Sequence, residues 1–432
     1  MSGRPVPSLA LLSAITALAF CALHMVVPAL PLLVTVFTDT PAHVQLVVSL
    51  YLAGIGAGQL VYGPVSDRFG RRPVLLTGLA AFLVGTALCC VAWSLPALIA
   101  GRVLQALGAC AGIVLSRAMI RDVYEREAAA RGLALVMMAM TLAPAISPAL
   151  GAYLAEWFGW RAVFAVLGGL GGVVLVATVI RLVETNHQRV RLDLGGMAGA
   201  NLALLRSPAF LGFAVCGACT SASWFTFIAS APYILVEALH RPPSTYGLMI
   251  LLPMATYMLG NAAAARFAPH FGSLQLLLAG RALAFAAALA MALWAGSAPL
   301  SVWLLFVPIG LAEIGDGMSG PAVMAAALSI RPRLAGTASG LMGFLQMAAA
   351  ALGSFVVALL PYRNAFGMIA LYGGFVALGL AAAVFAVRCT RQRPAATGGG
   401  AAGPAGGARV WDGPLPTSKG HARLGTKFTS CS

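Results

Sequence analysis

Residues Gly63 to Pro73 read GPVSDRFGRRP, and the rest of the chain is organised around them. Leu52 to Tyr62 before them is apolar and rich in small residues, and Val74 to Val91 after them is apolar again. Asp67, Arg68, Arg71 and Arg72 therefore sit on a short charged hinge between two membrane spans. Gly63 and Gly70 permit close backbone approach and positive φ, Pro73 suits the opening of a helix, and the arginines mark the hinge as cytoplasmic.

Composition agrees with that reading. Hydrophobic residues make up 60% and charged residues 9% of the 432, with a mean hydropathy of +0.91, whereas soluble domains carry roughly a quarter charged residues. The apolar runs are continuous over about 20 residues, which calls for helices rather than a barrel. Each helix satisfies its own backbone where water is absent. The formal charge of +15 does not point to nucleic acid, because the bases are scattered in small groups between spans. Eight cysteines (21, 89, 90, 110, 216, 219, 389 and 431) fall mostly inside apolar runs and form no disulfide framework. Cys216-Gly-Ala-Cys219 has redox spacing without the strand and helix context that redox chemistry needs, so a buried structural pair is expected. No metal cluster, cofactor motif or cleavable signal is expected.

Twelve spans follow, roughly 9–34, 45–65, 74–93, 97–119, 132–155, 162–182, 209–234, 244–265, 274–296, 300–325, 335–360 and 365–387. One set of loops carries Arg4, Arg68, Arg71, Arg72, Arg121, Arg126, Arg131, Arg189, Arg191, Arg206, Arg266, Arg331, Arg333, Arg388, Arg391 and Arg393; the other carries Arg161, Arg241 and Arg363. Both termini are then cytoplasmic, with the chain multi-pass in a bacterial inner membrane. The expected domains are a six-helix bundle over 1–182, a cytoplasmic loop over 183–208, a second six-helix bundle over 209–388 and a disordered tail over 389–432. Within the loop, Leu192 to Leu205 reads either as a helix lying on the membrane surface or as a plain linker. Phe69-Gly70 matches Phe271-Gly272 at an offset of 202, the weak symmetry of two halves related about the membrane normal. The second copy lacks equivalents of Asp67, Arg71 and Arg72.

The pattern G-x-x-x-D-R-x-G-R-R between two spans resembles the signature loop of the major facilitator superfamily. Arg102-Val-Leu-Gln105-Ala-Leu-Gly108 resembles that superfamily's fourth-helix pattern, with Ala106 where a glycine is usual. An arginine in a span is costly and faces protein or water; Arg102 and Gln105 then line the substrate cavity, or Arg102 snorkels to the outer interface. Pro144, Pro148 and Gly151 form an APxxxPxxG run, which with Gly159-Trp160-Arg161 is similar to the fifth helix of Bcr/CflA-type drug antiporters. Two prolines four apart remove two backbone donors, so a kink is expected there. The resemblance runs from Pro28-Ala-Leu-Pro31 through Gly58-Gln59-Leu60, Arg121-Asp122, Glu184-Thr185 and Ala335-Gly-Thr-Ala-Ser339 to Gln346, and stops near residue 388.

It implies an all-α fold of twelve transmembrane helices in two six-helix halves, acting as a monomer in membrane lipid. It also implies export of a small-molecule substrate, drugs and antibiotics included, by proton antiport with alternating access. In that family an aspartate usually precedes the Y-L-P-A-L-P run of the first helix, and His24 stands in its place. His24 is then a proton carrier or a hydrogen-bonded core residue. The resemblance further implies that Asp67 approaches the start of the eleventh helix near Gly336 and Thr337, and that Arg71 pairs with Asp122, latching the halves on the inside.

Glu313 and Asp316 lie near the middle of the tenth span, three residues apart on one helix face. An aspartate at mid-span costs about 2.5 to 3.5 kcal/mol on insertion scales, so the pair is expected to face the central cavity as proton carriers or to be neutralised by a base such as Arg102. In the seventh span, Ser223, Trp224, Phe225 and Phe227 combine hydroxyl and aromatic groups, which suits an amphipathic ligand or plain helix packing. A sugar or metabolite transporter is the alternative function. A membrane-embedded enzyme has least support, since no HExxH or Ser/His/Asp set is visible.

Overall fold

A computed structural model describes residues 7–124, 126–186, 194–361 and 365–391. The expected tail beyond 391, and Arg4, Arg189, Arg191, Arg363 and Arg393, lie outside the described residues. Among those described, twelve helical segments are long and apolar enough to cross a membrane: Leu9–Phe37, Pro41–Phe69, Arg71–Cys90, Leu95–Val123, Arg131–Phe158, Trp160–Arg181, Pro208–Ala238, Pro243–Phe271, Ser273–Ser297, Val302–Ser329, Pro332–Ala358 and Phe366–Arg391. They are called the first to twelfth spans below.

Several ends differ from the sequence reading, and the second span differs most. Its helix continues through Pro64 to Phe69, and the third helix opens at Arg71. The expected hinge is thus a single residue, Gly70, at φ 101°. Asp67 and Arg71 pair across the Gly70 corner, so the charged residues that mark the end of the apolar run still belong to the two helices. The last helix likewise reaches Arg391.

Proline breaks other spans. The first is helical over Leu9–His24, passes through a 3-10 turn at Val27–Ala29 and resumes at Leu30–Phe37. Pro28 and Pro31 cannot donate to the preceding turn, which accounts for the interruption. The seventh ends in a π-helical turn, Ile234–Ala238, after Pro232. The fifth span, by contrast, stays one helix from Arg126 to Phe158 with Pro144 and Pro148 inside it. A further helix, Leu194–Leu205, packs on the seventh and eleventh spans.

Spans one to six pack mainly on one another, chiefly third on fourth, second on fourth, first on fifth and third on sixth. The second group repeats this with ninth on tenth, eighth on tenth, and seventh on eleventh and twelfth. Two seams join the groups, second against eleventh and fifth against eighth. The outward surface is apolar, as at Val173, Ile180 and Leu293. Trp93, Trp157 and Trp303 are exposed at the ends away from the charged turn, where an aromatic belt meets the lipid headgroups.

Candidate functional site

The charged turn is held by a segment distant in sequence. Glu184, just past the sixth span, accepts hydrogen bonds from the backbone N–H groups of Arg71 (2.9 Å), Arg72 (3.1 Å), Thr185 (3.0 Å) and Asn186 (2.9 Å). It thereby caps the open N-terminus of the third helix. Partial burial works to raise the Glu184 carboxyl, but these four N–H groups outweigh it and hold the group below its ordinary range. The Asn186 amide donates to the carbonyls of Asp67 (3.1 Å) and Ser66 (3.4 Å), closing the end of the second helix. Gly70 lies against Glu184, where an added Cβ would meet Oε2 at 2.6 Å, and its φ also excludes a side chain.

Arg71 sits at the centre of this clasp. Its guanidinium lies 2.6 Å from Asp67 Oδ1 and 3.0 Å from Asp122 Oδ2. Arg72 donates to the carbonyl of Val179 at 3.0 Å, and Arg68 lies over the Phe69 ring at 5.1 Å. Gly63 is inside the second helix, and its Cβ position has no atom within 4 Å. The expected approach of Asp67 to the eleventh helix is not made: the Asp67 side chain is paired with Arg71 and 48% exposed. That helix starts without a side-chain cap, and the Cβ position of Gly336 has no atom within 4 Å.

Arg102 is fully buried, so in this conformation it neither snorkels outward nor lines an open cavity. It donates to the carbonyls of Val47 (3.2 Å) and Ala22 (2.9 Å) and to Gln105 Oε1 (2.6 Å), beneath the Tyr51 ring at 4.0 Å. Gln105 in turn donates to Thr86 Oγ1 at 2.8 Å. Ala22 belongs to the last turn of the Leu9–His24 helix, whose carbonyls lack helical partners. Arg102 therefore ties the broken first span to the second and fourth, and the cavity role expected of Arg102 and Gln105 is corrected to an internal tie.

His24 is also buried and donates through Nδ1 to the carbonyl of Phe20 at 3.0 Å. Its ring centroid lies 6.2 Å from that of Phe225 on the seventh span, so the two groups of helices meet there. Trp224 is partly exposed beside it. Two other expected cavity residues are packed inside the second group instead. Phe227 meets Phe306 edge-on at 5.3 Å, and Ser223 returns its hydroxyl to the Thr220 carbonyl at 2.9 Å. Short hydroxyls in a span satisfy their donor on the preceding turn, as Ser223 does here.

In the fifth span Gly151 lies directly on the Met25 carbonyl at the break in the first span, closer than any side chain would allow. Gly247 of the eighth span packs on Ala149 next to it. The motif Pro144, Pro148, Gly151 therefore sits where the fifth span meets both the first and the eighth.

The tenth span holds the pair that the sequence singled out, and a partner that it did not. Asp316 forms an ion pair with Arg281 of the ninth span, not with Arg102. Arg281 is fully buried and also donates to Thr220 Oγ1 at 2.9 Å and to the Val376 carbonyl at 3.5 Å. Glu313 is 5% exposed. The signal for Arg281 was present as an arginine inside LLLAGRALAF, the same cue that marked Arg102.

The family model described as Major Facilitator Superfamily matches residues 12–354. A protein of Pseudomonas aeruginosa named chloramphenicol resistance protein is 33% identical over 400 residues, covering 90% of this chain and 92% of that one. Multidrug resistance protein D of Escherichia coli is 31% identical over 332 residues, covering 74% and 80%. Among solved structures, a bacterial homologue of the human lysosomal transporter Spinster, inward-facing and unoccupied, overlays with a TM-score of 0.70 at 17% identity, covering 89% of this chain and 96% of that one.

Proposed function

The chain belongs to the Major Facilitator Superfamily, and on that premise we propose that it exports small amphipathic compounds, antibiotics among them, in exchange for protons. One observation carries the substrate class: similarity over nine-tenths of the chain to a relative named for chloramphenicol resistance. Two buried carboxyls within one turn of the tenth span support the coupling. A carboxyl in that place can take a proton from one side of the membrane and release it to the other. The arginine asymmetry of the loops supports an inner-membrane orientation with cytoplasmic termini.

The loop clasp is assigned the role of a conformational latch. Asp67 is half-exposed and paired with Arg71, and when the groups close at that end it would exchange that partner for the uncapped start of the eleventh helix. His24 and Phe225 form the contact at which a substrate would separate the groups, with Trp224 next in the chain.

Expression in a drug-sensitive strain tests the reading. Resistance to chloramphenicol should rise, and accumulation should fall until a protonophore is added. In proteoliposomes with an imposed pH gradient, Glu313→Gln combined with Asp316→Asn should abolish uphill transport while leaving downhill exchange. Unchanged drug tolerance would instead favour a dedicated metabolite carrier.

A further inference from the structure

We propose that Arg281 keeps Asp316 permanently ionised as its counter-ion, so that Glu313 alone exchanges a proton and each cycle moves one. The assignment deepens the antiport reading, and its test does not depend on a substrate being known.

The two carboxyls share a helix face but not an environment. Asp316 is paired with Arg281, and Arg281 is pinned from three directions: by Thr220 of the seventh span, Asp316 of the tenth and the Val376 carbonyl of the twelfth. Gly379 on the twelfth span closes over its other terminal nitrogen, where an added Cβ would come within 2.7 Å. A guanidinium held this way rests on Asp316, so protonating Asp316 would break a formed buried ion pair and force Arg281 to move to Glu313, whereas protonating Glu313 breaks none.

Glu313 has no such partner. Among the described residues its carboxylate accepts no hydrogen bond and forms no ion pair, and yet it is buried. The groups facing the cluster are Tyr257 of the eighth span, Arg281 of the ninth, Asp316 of its own helix and Tyr372 of the twelfth, with Cys216 and Cys219 of the seventh beside Arg281. Apart from Arg281 no cation is among them, and the phenols and thiols are neutral near neutral pH.

Charge accounting then sets the stoichiometry. Two carboxyls and one guanidinium sum to zero when one carboxyl is ionised and the other protonated. That is the low-energy state for a cluster shielded from water. Releasing the proton from Glu313 leaves a net charge of −1, which water or a cationic or hydrogen-donating substrate must compensate. Only an O–H bond is made and broken.

Arg281 is thus a positioning residue for proton exchange, and counting protons tests its role. Purified protein in detergent is acidified from about pH 9 to about pH 5 with an indicator dye, a range that spans ordinary histidine and perturbed carboxyl titration. Glu313→Gln should take up one proton fewer per chain than wild type. Arg281→Gln combined with Asp316→Asn removes the pair without net charge change and should match wild type. Asp316→Asn alone should lose one proton, because Arg281 then captures Glu313.

An unchanged count in Glu313→Gln, or one proton fewer in the double variant, overturns the assignment. On the unmutated protein, dicyclohexylcarbodiimide reacts with protonated carboxyls in apolar surroundings. Peptide mass spectrometry should place the adduct on Glu313. An adduct on Asp316, or on neither, overturns it without requiring any variant to fold. Failure of the export assays alone would leave both readouts intact and count against the drug-export reading instead.

Discussion

Glu184 carries more of the signature turn than its place in the sequence suggests. Its folded carboxyl lies below the ordinary glutamate value, so its contribution is complete above that value and is lost as pH falls through the folded one. Acidification below about pH 4 to 5, the ordinary carboxyl range, should therefore open the clasp, and Glu184→Gln should flatten that acid limb in a thermal-unfolding series. The same substitution should cost about 1–2 kcal/mol at neutral pH, toward the low end for charged hydrogen bonds because the group is partly open to water. The turn itself was legible in sequence, since glycine, proline and clustered charge are local signals. Its keeper was not, because Glu184 lies 113 residues from Arg71 in the chain and nothing periodic links them. Arg281 and Asp316 failed for the same reason: each type could be flagged, but which helix faces which is a property of packing.

At the level of elements, the prolines do two different things. Pro28 and Pro31 break the first span and leave carbonyls for Arg102, whereas Pro144 and Pro148 sit inside a continuous fifth helix. What the fifth-span motif supplies is close approach. An alanine at 151 would press its methyl into the Met25 carbonyl, and a backbone atom cannot yield as a side-chain end can. Gly151→Ala should cost about 1–3 kcal/mol, the usual penalty of overpacking, read as a lower unfolding temperature, and should slow export. The sequence pattern located this motif, and the expected kink followed from proline chemistry. Its contact with the break in the first span depends on two irregular helices meeting, which no single-helix periodicity records.

Across the whole molecule, hydrogen bonds between the two groups cluster at the end away from the arginines. Gln45 donates to Ser354 at 2.7 Å, Ser49 reaches the same hydroxyl at 3.2 Å, and the Ser244 N–H donates to Glu156 at 2.7 Å. At the arginine-rich end Asp67 is half-exposed and the Gly336 position is open. In a cysteine-free background, Gly336→Cys should react readily with a water-soluble maleimide and Ser354→Cys should not. A reversal of that order would mean that the groups rest closed at the other end. Span number, two-group architecture and charge asymmetry were all legible from the chain, because they are set by hydropathy and composition. The seams were not, because they depend on which faces of twelve helices meet. Gly70 and Gly272 turn equivalent corners at φ 101° and 81°, but Glu184 grips the first, while the Cβ position of the second has no atom within 4 Å. One corner is a welded joint and the other a free one, so amide hydrogens over 272–276 should exchange with deuterium faster than those over 70–74, and the second group should be the one that flexes within itself while the first tilts as a block.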